Sequence, residues 1–249
     1  MRRNSCSARP RWRQGAATIS TIENGPASSS GKRSVASLGT DPDCNCQICP
    51  RLASFRAATR AREADWFNSP VPSFGDPNGR LLIIGLAPGL QGANRTGRPF
   101  TGDYAGDLLY ATLKEFGFAR GSYEARPDDG LVLTDCRIAN AVSCVPPENK
   151  PTPFEITNCR AFLAAAIDEM PRLAAIVALG RIAHDSVIVA LDQKRSRFPF
   201  GHGAAHEAGR FMLFGSYHCS RYNTNTGRLT PEMFRAVFAE VRRHLDAPT

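Results

Sequence analysis

Short apolar runs punctuate the chain. Residues 80–86 (RLLIIGL), bounded by Gly and Pro, predict a buried strand, as do 174–179 (AAIVAL) and 211–217 (FMLFGSY). A further strand is expected near 131–136, running on towards Asn140. Residues 51–66 (RLASFRAATRAREADW) read as an amphipathic helix, followed by a Pro/Gly-rich connector over 69–79. Helices are also expected over 104–116, 153–169 and 181–192. Thr152 and Glu155 stand in capping-box spacing at the start of one of them. Thr230, Pro231 and Glu232 open a last helix reaching about His244, with Pro at its first position. Strands alternating with helices argue for an α/β fold, a parallel sheet covered on both faces. No internal repeat is present. Ligands of such sheets sit beyond the carboxyl ends of the strands, and three loops meet that description: 85–103, 140–150 and 218–229.

Composition bounds the class without naming a function. A chain of 249 residues, 42% hydrophobic and 22% charged, is long enough for one sizeable core and ordinary for a soluble globular protein. No stretch approaches the roughly 20 apolar residues a bilayer span needs, so no membrane partner is expected. The arginines near the N-terminus have no apolar segment behind them, which argues against a secretory signal and for a cytoplasmic protein. The net charge of +8 suggests a polyanionic partner, but seven Lys/Arg stand against Glu23 alone in residues 1–40, leaving 24 basic and 22 acidic groups beyond. Residues 1–43 are therefore read as a basic, disordered tail and 44–249 as the folded domain. The tail could add salt-sensitive attraction to DNA, be a solvated extension, or serve as an organelle transit peptide.

Eight cysteines change the picture: Cys6, Cys44, Cys46, Cys49, Cys136, Cys144, Cys159 and Cys219. In an intracellular chain they point to metal before disulfides. Cys46-x-x-Cys49 precedes a helix, and fourteen residues separate Cys144 from Cys159 across a Pro-rich loop. A close pair plus a spread pair suits an iron–sulfur cluster held by four thiolates or a structural zinc, with free buried thiols as the remaining reading. Cys44 could replace Cys46 as first ligand; Cys6 and Cys136 look incidental.

The loop 85–103 (GLAPGLQGANRTGRPFTGD) holds five glycines, two prolines and one acid, Asp103, directly after a strand. Its glycines let backbone approach a ligand, and it matches neither the P-loop nor the dinucleotide-binding pattern. The block 218–229 (HCSRYNTNTGRL) puts His218 at a strand end.

GLAPG, NRTGRPFTGD, NAVSCVPPENKPTP and H-x-S-x-x-N-T-N-T-G, in that order, resemble the family 5 uracil-DNA glycosylases, relatives of the family 4 iron–sulfur glycosylases. The resemblance covers roughly residues 44–245. It implies three α/β/α layers around a parallel four-stranded sheet, and a [4Fe–4S] cluster on Cys46, Cys49, Cys144 and Cys159. It also implies excision of uracil, and of other deaminated or damaged bases, flipped out of DNA in base excision repair. A monomer working in the cytoplasm, associated with the nucleoid, follows as the expected setting.

On this resemblance Phe100 stacks on the flipped ring, and Asn140 reads uracil N3–H and O4. His218 donates to the departing base near O2, and Gly85, Ala87, Pro88 and Gly89 shape the pocket. Ala87 stands where many relatives carry an Asp or Asn that positions water. Asn94 is then the first candidate for that task and Asp103 the fallback, although Asp103 could equally cap the next helix. Cys219 replaces a usual proline, which predicts a more mobile loop and a thiol beside the site. Arg221 and Tyr222 are expected as wedge or phosphate contacts. A non-catalytic iron–sulfur nucleic-acid-binding protein and a nucleotide hydrolase are the competing functions.

Overall fold

The period-2 alternation of the strands divides two apolar cores. The computed structural model describes residues 39–247. The disordered-tail expectation therefore lies, for residues 1–38, outside the described residues. The boundary expected at residue 44 is crossed by contacts, since Asp41 Oδ1 accepts from the Ser73 amide at 2.8 Å.

In chain order the elements are α1 (Pro50–Arg62), β1 (Phe74–Gly75), β2 (Leu81–Gly85), α2 (Ala93–Thr96), α3 (Tyr104–Glu115), β3 (Ala119–Arg120) and β4 (Val132–Leu133). They continue with β5 (Cys136–Asn140), α4 (Pro153–Asp168), β6 (Ala175–Leu179), α5 (Arg181–Ala190), β7 (Ala205–Ala208), β8 (Phe211–Ser216), α6 (Arg221–Asn225) and α7 (Pro231–Asp246). The main sheet has six strands in the order β1-β5-β2-β6-β8-β7. Its four central strands are parallel, as the resemblance implies, and β1 and β7 add antiparallel edges.

Leu81, Ile83, Val177 and Ile138 point to one face and pack with Leu109 and Leu113 of α3 and Phe234 and Phe238 of α7. Leu82, Ile84, Ile176 and Leu213 point to the other, against Leu163 and Ile167 of α4 and Val187 and Ile188 of α5. Both faces being covered, the central strands read as near-continuous apolar runs.

The capping box at Thr152 forms, with Glu155 Oε2 accepting from the Thr152 amide at 2.7 Å. Thr230 caps α7 through the Met233 amide. The strand expected across 131–140 is instead two: β4 pairs with β3 in a separate hairpin, and the chain turns at Asp135 (φ 56°) before β5. Asp135 is held there by Arg80, whose backbone amide and Nε both donate to its carboxylate.

β2 is the first central strand. The chain leaves it for β5 on one side and returns to β6 on the other, which makes the crevice beyond Gly85 a topological switch point. The register brings Gly85 beside Asn140, and Leu179 beside Ser216, at one edge of the sheet. All three expected ligand loops leave from that edge.

Candidate active site

Gly85 and Asn140 are register partners on parallel strands, so the Asn140 side chain rises over a residue without one. A Cβ at position 85 would lie 2.5 Å from Asn140 Oδ1 and 2.7 Å from the Phe100 ring. Only glycine leaves room for amide and ring to meet there.

Phe100 is 7% exposed and adopts φ 51°, a left-handed conformation costing a bulky residue on the order of 1–3 kcal/mol. The loop around it is built to hold that strain. The Arg98 guanidinium donates to both Asp129 oxygens at 2.8 and 2.7 Å and to Thr101 Oγ1 at 2.7 Å, and the pair's side chains are 1% and 0% exposed. Burial alone would push the Asp129 carboxyl up. Arg98 and the Glu124 and Leu131 amides outweigh it and hold the group at about 2. The Tyr110 hydroxyl, fully buried, donates to the Pro99 carbonyl at 2.6 Å.

His218 follows β8, and its ring stacks beside Phe100 with centroids 5.8 Å apart and planes 26° from parallel. Although the ring keeps some exposure to the cavity, burial pushes its imidazole down to about 4, with no charged neighbour contributing. It is neutral near pH 7, a donor of one N–H and not a cation.

Asp103 faces the same cavity. Its Oδ2 lies against Gly92 and Gly89, where any Cβ would press on it, and its buried Oδ1 has no hydrogen-bond partner among the described residues. Burial raises its carboxyl above the usual range, the Ala105 and Gly106 amides drawing it partly back. It sits at the N-cap of α3, near enough to the Ala105 and Gly106 amides to be influenced by them, although it makes no side-chain capping bond. Asn94 departs from expectation. Its side chain is buried, 1% exposed, and its Nδ2 donates to Asn68 Oδ1 at 2.9 Å behind the cavity wall. Asp103 lines the cavity, as does Ala93 of α2, whereas Asn94 is not among its walls.

The cavity measures about 740 Å³, within the range for small-molecule sites. Ala87, Pro88, Gly89, Phe100, Asp103, Asn140 and His218 line it, with Gly85 forming the floor beneath. Gln91, Tyr104, Asn149 and Ser220 also line it and were not singled out from the sequence. Asn149 (φ 57°) follows Glu148 (φ 55°) in a tight turn inside the motif NAVSCVPPENKPTP, and these left-handed angles are visible only in the folded chain. At the mouth Arg221 lies over the Tyr104 ring, 5.4 Å from its centroid, and Tyr222 is 72% exposed.

Cys219 is not a thiol open to the site. It is fully buried in the core, its Sγ is 3.4 Å from the Ala105 carbonyl, and burial pushes it up to about 12. Ser220 also caps α6, accepting from the Asn223 amide. Cys136 is likewise buried in the core.

Cys46, Cys49, Cys144 and Cys159 line one small cavity between α1, the segment after β5, and α4. Cys44 is not among its walls. Arg56, 2% exposed, donates from Nη1 to Cys144 Sγ at 3.3 Å and from Nη2 to the Cys46 carbonyl at 2.6 Å. Asn158 Nδ2 approaches Cys49 Sγ at 3.6 Å. Arg51 and Glu155 add a two-pronged pair between α1 and α4, at 2.8 and 2.7 Å. Among the described residues no three His, Cys, Asp or Glu close round a single ion.

Comparison with known proteins identifies the family. The sequence model of the Uracil DNA glycosylase superfamily matches residues 72–242. A type-5 uracil-DNA glycosylase of Thermus thermophilus is 44% identical over 205 residues, covering 80% of this chain and 93% of the relative. One from Pyrobaculum aerophilum is 39% identical over 207 residues, covering 82% and 88%. A type-4 enzyme of Archaeoglobus fulgidus is 30% identical over 142 residues, covering 57% and 63%.

Proposed function

The chain belongs to the uracil DNA glycosylase superfamily, and from that premise we propose that the cavity at the β2–β5 edge takes the flipped base of a damaged nucleotide. The protein is a uracil-DNA glycosylase that hydrolyses the N-glycosyl bond and leaves an abasic site. The observation that carries the site assignment is the convergence of Phe100, Asn140, His218 and Asp103 on one cavity at the sheet's switch point.

A stacked base must leave the duplex before its glycosidic bond is reachable. Phe100 then offers a ring face, worth roughly 1–3 kcal/mol per base. Asn140 accepts from N3–H and donates to O4, a pattern cytosine reverses. Bond cleavage leaves negative charge on the base and positive charge on the sugar. Neutral His218 donates to that anion without first giving up a proton. Asp103, whose Oδ1 has no partner among the described residues and which lines the same space, holds water for the sugar and takes its proton; its raised carboxyl makes it a better base than an ordinary aspartate. Arg221, Tyr104 and Tyr222 at the mouth meet the DNA. Deaminated bases other than uracil fall within the same chemistry.

The test is direct. Purified protein is incubated with uracil-containing duplex in EDTA and alkali-labile sites are counted; intact strands would exclude the reading. Gly85→Ala puts a methyl group between Asn140 and Phe100, and kcat/KM should fall about 100-fold, since a displacement near 1 Å at a reacting centre has that cost. Activity within twofold of wild type would show that the floor is not held as described.

The four cysteines suit a [4Fe–4S] cluster better than zinc. A tetrahedral zinc draws its sulfurs to about 3.8 Å from one another, whereas these thiols face a shared cavity without closing on one ion. Burial pushes the Cys144 and Cys49 thiols up, and the N–H groups that Arg56 and Asn158 direct at these two sulfurs offset part of that. When bound, the cluster supplies a cross-link between α1, the Cys144 loop and α4; base excision itself transfers no net electrons. Cys144→Ser should therefore lose iron and visible absorption and lower the thermal midpoint by roughly 5–15 °C, the effect of losing a cross-link worth about 2–4 kcal/mol. A colourless variant melting with wild type would refute the structural role.

The domain is read as residues 44–249 with 1–43 as its basic extension, the end of which docks on the domain through Asp41 and Ser73. We read the protein as a monomer, since Phe100, Asp103, Asn140 and His218 form the whole candidate site within one sheet edge. No helix among the described residues is long and apolar enough to cross a membrane. Association with the nucleoid follows from the DNA substrate.

A further inference from the structure

We propose that Tyr123 is a positioning residue for base excision, acting through the Phe100–Gly102 turn. Tyr123 belongs to the connection between β3 and β4, outside every motif of the cavity and absent from its walls. Its hydroxyl nevertheless donates to the Phe100 carbonyl at 3.2 Å and lies beside the Gly102 amide. Both residues it touches have positive φ, 51° and 87°, so it pins the backbone where the turn is most strained.

Two further features point to the same contact. Gly106 of α3 lies against the Phe100 carbonyl and the Tyr123 hydroxyl so closely that any Cβ would overlap both. The helix thus gives up a side chain where carbonyl and hydroxyl meet. The Tyr123 ring packs against Tyr110, centroids 4.6 Å apart, and Tyr110 holds the preceding Pro99 carbonyl. Asp129, at the far end of the same connection, accepts from the Glu124 amide and binds Arg98. The connection therefore grips the Arg98–Gly102 segment at both ends. Burial pushes the Tyr123 phenol up, so it stays a donor through the neutral range.

The consequence is a control on the stacking platform from 23 residues away in sequence. Without the hydroxyl, the carbonyl is freed and the ring is no longer fixed at one height over the Asn140 amide. The base would still bind, but fewer complexes would be in reacting geometry.

The inference rests on the uracil-excision reading, and a double-mutant cycle tests it. Tyr123→Phe, Phe100→Leu and the double variant are assayed on uracil-containing duplex under single-turnover conditions, well below their thermal midpoints. Tyr123→Phe should lower the excision rate about three- to tenfold with KM within twofold, the loss of one neutral hydrogen bond. In the Phe100→Leu background the same change should have no further effect. Multiplying effects, or a wild-type rate for Tyr123→Phe, would overturn the proposal. A wild-type protein that releases no uracil would instead overturn the reading beneath it.

Discussion

His218→Ala is expected to lower the rate of uracil excision about 100- to 1,000-fold with little change in KM, the cost of removing one donor aimed at a developing anion. The imidazole contributes little to ground-state binding, because the base before cleavage carries no full charge for it to meet. Its effect grows only as the C–N bond opens. His218→Gln, which keeps an N–H, should restore part of the rate. A loss confined to KM would assign His218 to binding alone.

The same residue sets a pH signature. Its folded value, about 4, lies below the ordinary 6.5. Between those values the unfolded chain binds a proton that the folded one refuses, so folding stability is full above about 6.5 and falls as the pH drops towards 4. His218→Gln lacks this loss. Denaturant unfolding at pH 7, 5.5 and 4.5 should show wild type losing ground to the variant on acidification. Parallel pH profiles would mean that the imidazole is not held neutral by burial.

Arg98→Met should cost about 3–5 kcal/mol of stability, since it strands the Asp129 carboxylate in a site with 0% side-chain exposure. The guanidinium also lies 5.3 Å from the Phe74 ring centroid and 5.6 Å from that of Tyr110, so three kinds of contact go with it. Adding Asp129→Asn removes the unpaired charge but keeps an acceptor for only one of the Glu124 and Leu131 amides, which bond different carboxylate oxygens. The double variant should therefore regain part of the stability. Its excision rate should stay low, because the Arg98 end of the Phe100 loop is then released from the β3–β4 connection and only the Tyr123 contact holds it. Denaturant melts and single-turnover rates separate the two effects, and a double variant as active as wild type would show that the clamp serves stability alone.

The patterns that were readable in the chain share a physical basis. Central strands buried on both faces must be apolar throughout, so RLLIIGL and AAIVAL announced themselves, and the Thr152 and Thr230 caps used local bonds spanning three residues. The edge strands did not show. β7 is mostly exposed and β1 is two residues long within a Pro/Gly-rich connector, so neither needs an apolar signature.

The sequence by itself determined the layered α/β class and the edge of the sheet that bears the candidate site; it also singled out Phe100, Asn140 and His218, which meet at that edge, and four cysteines, which line a separate cavity. Tertiary structure alone decided the division of labour. Asn94 and Asp103 are nine residues apart in one Gly-rich loop, and nothing local says which faces the ligand. In the folded chain Asn94 bonds Asn68, while the bare surfaces of Gly89 and Gly92 admit the Asp103 carboxylate. Cys219 looked like a loosened, reactive position until packing placed it in the core. The Arg98–Asp129 pair and the Tyr123 contact join segments 31 and 23 residues apart. Long-range pairs of this kind obey no periodicity. They exist because a strained, buried turn has to be held from outside itself, and only the folded chain shows what holds it.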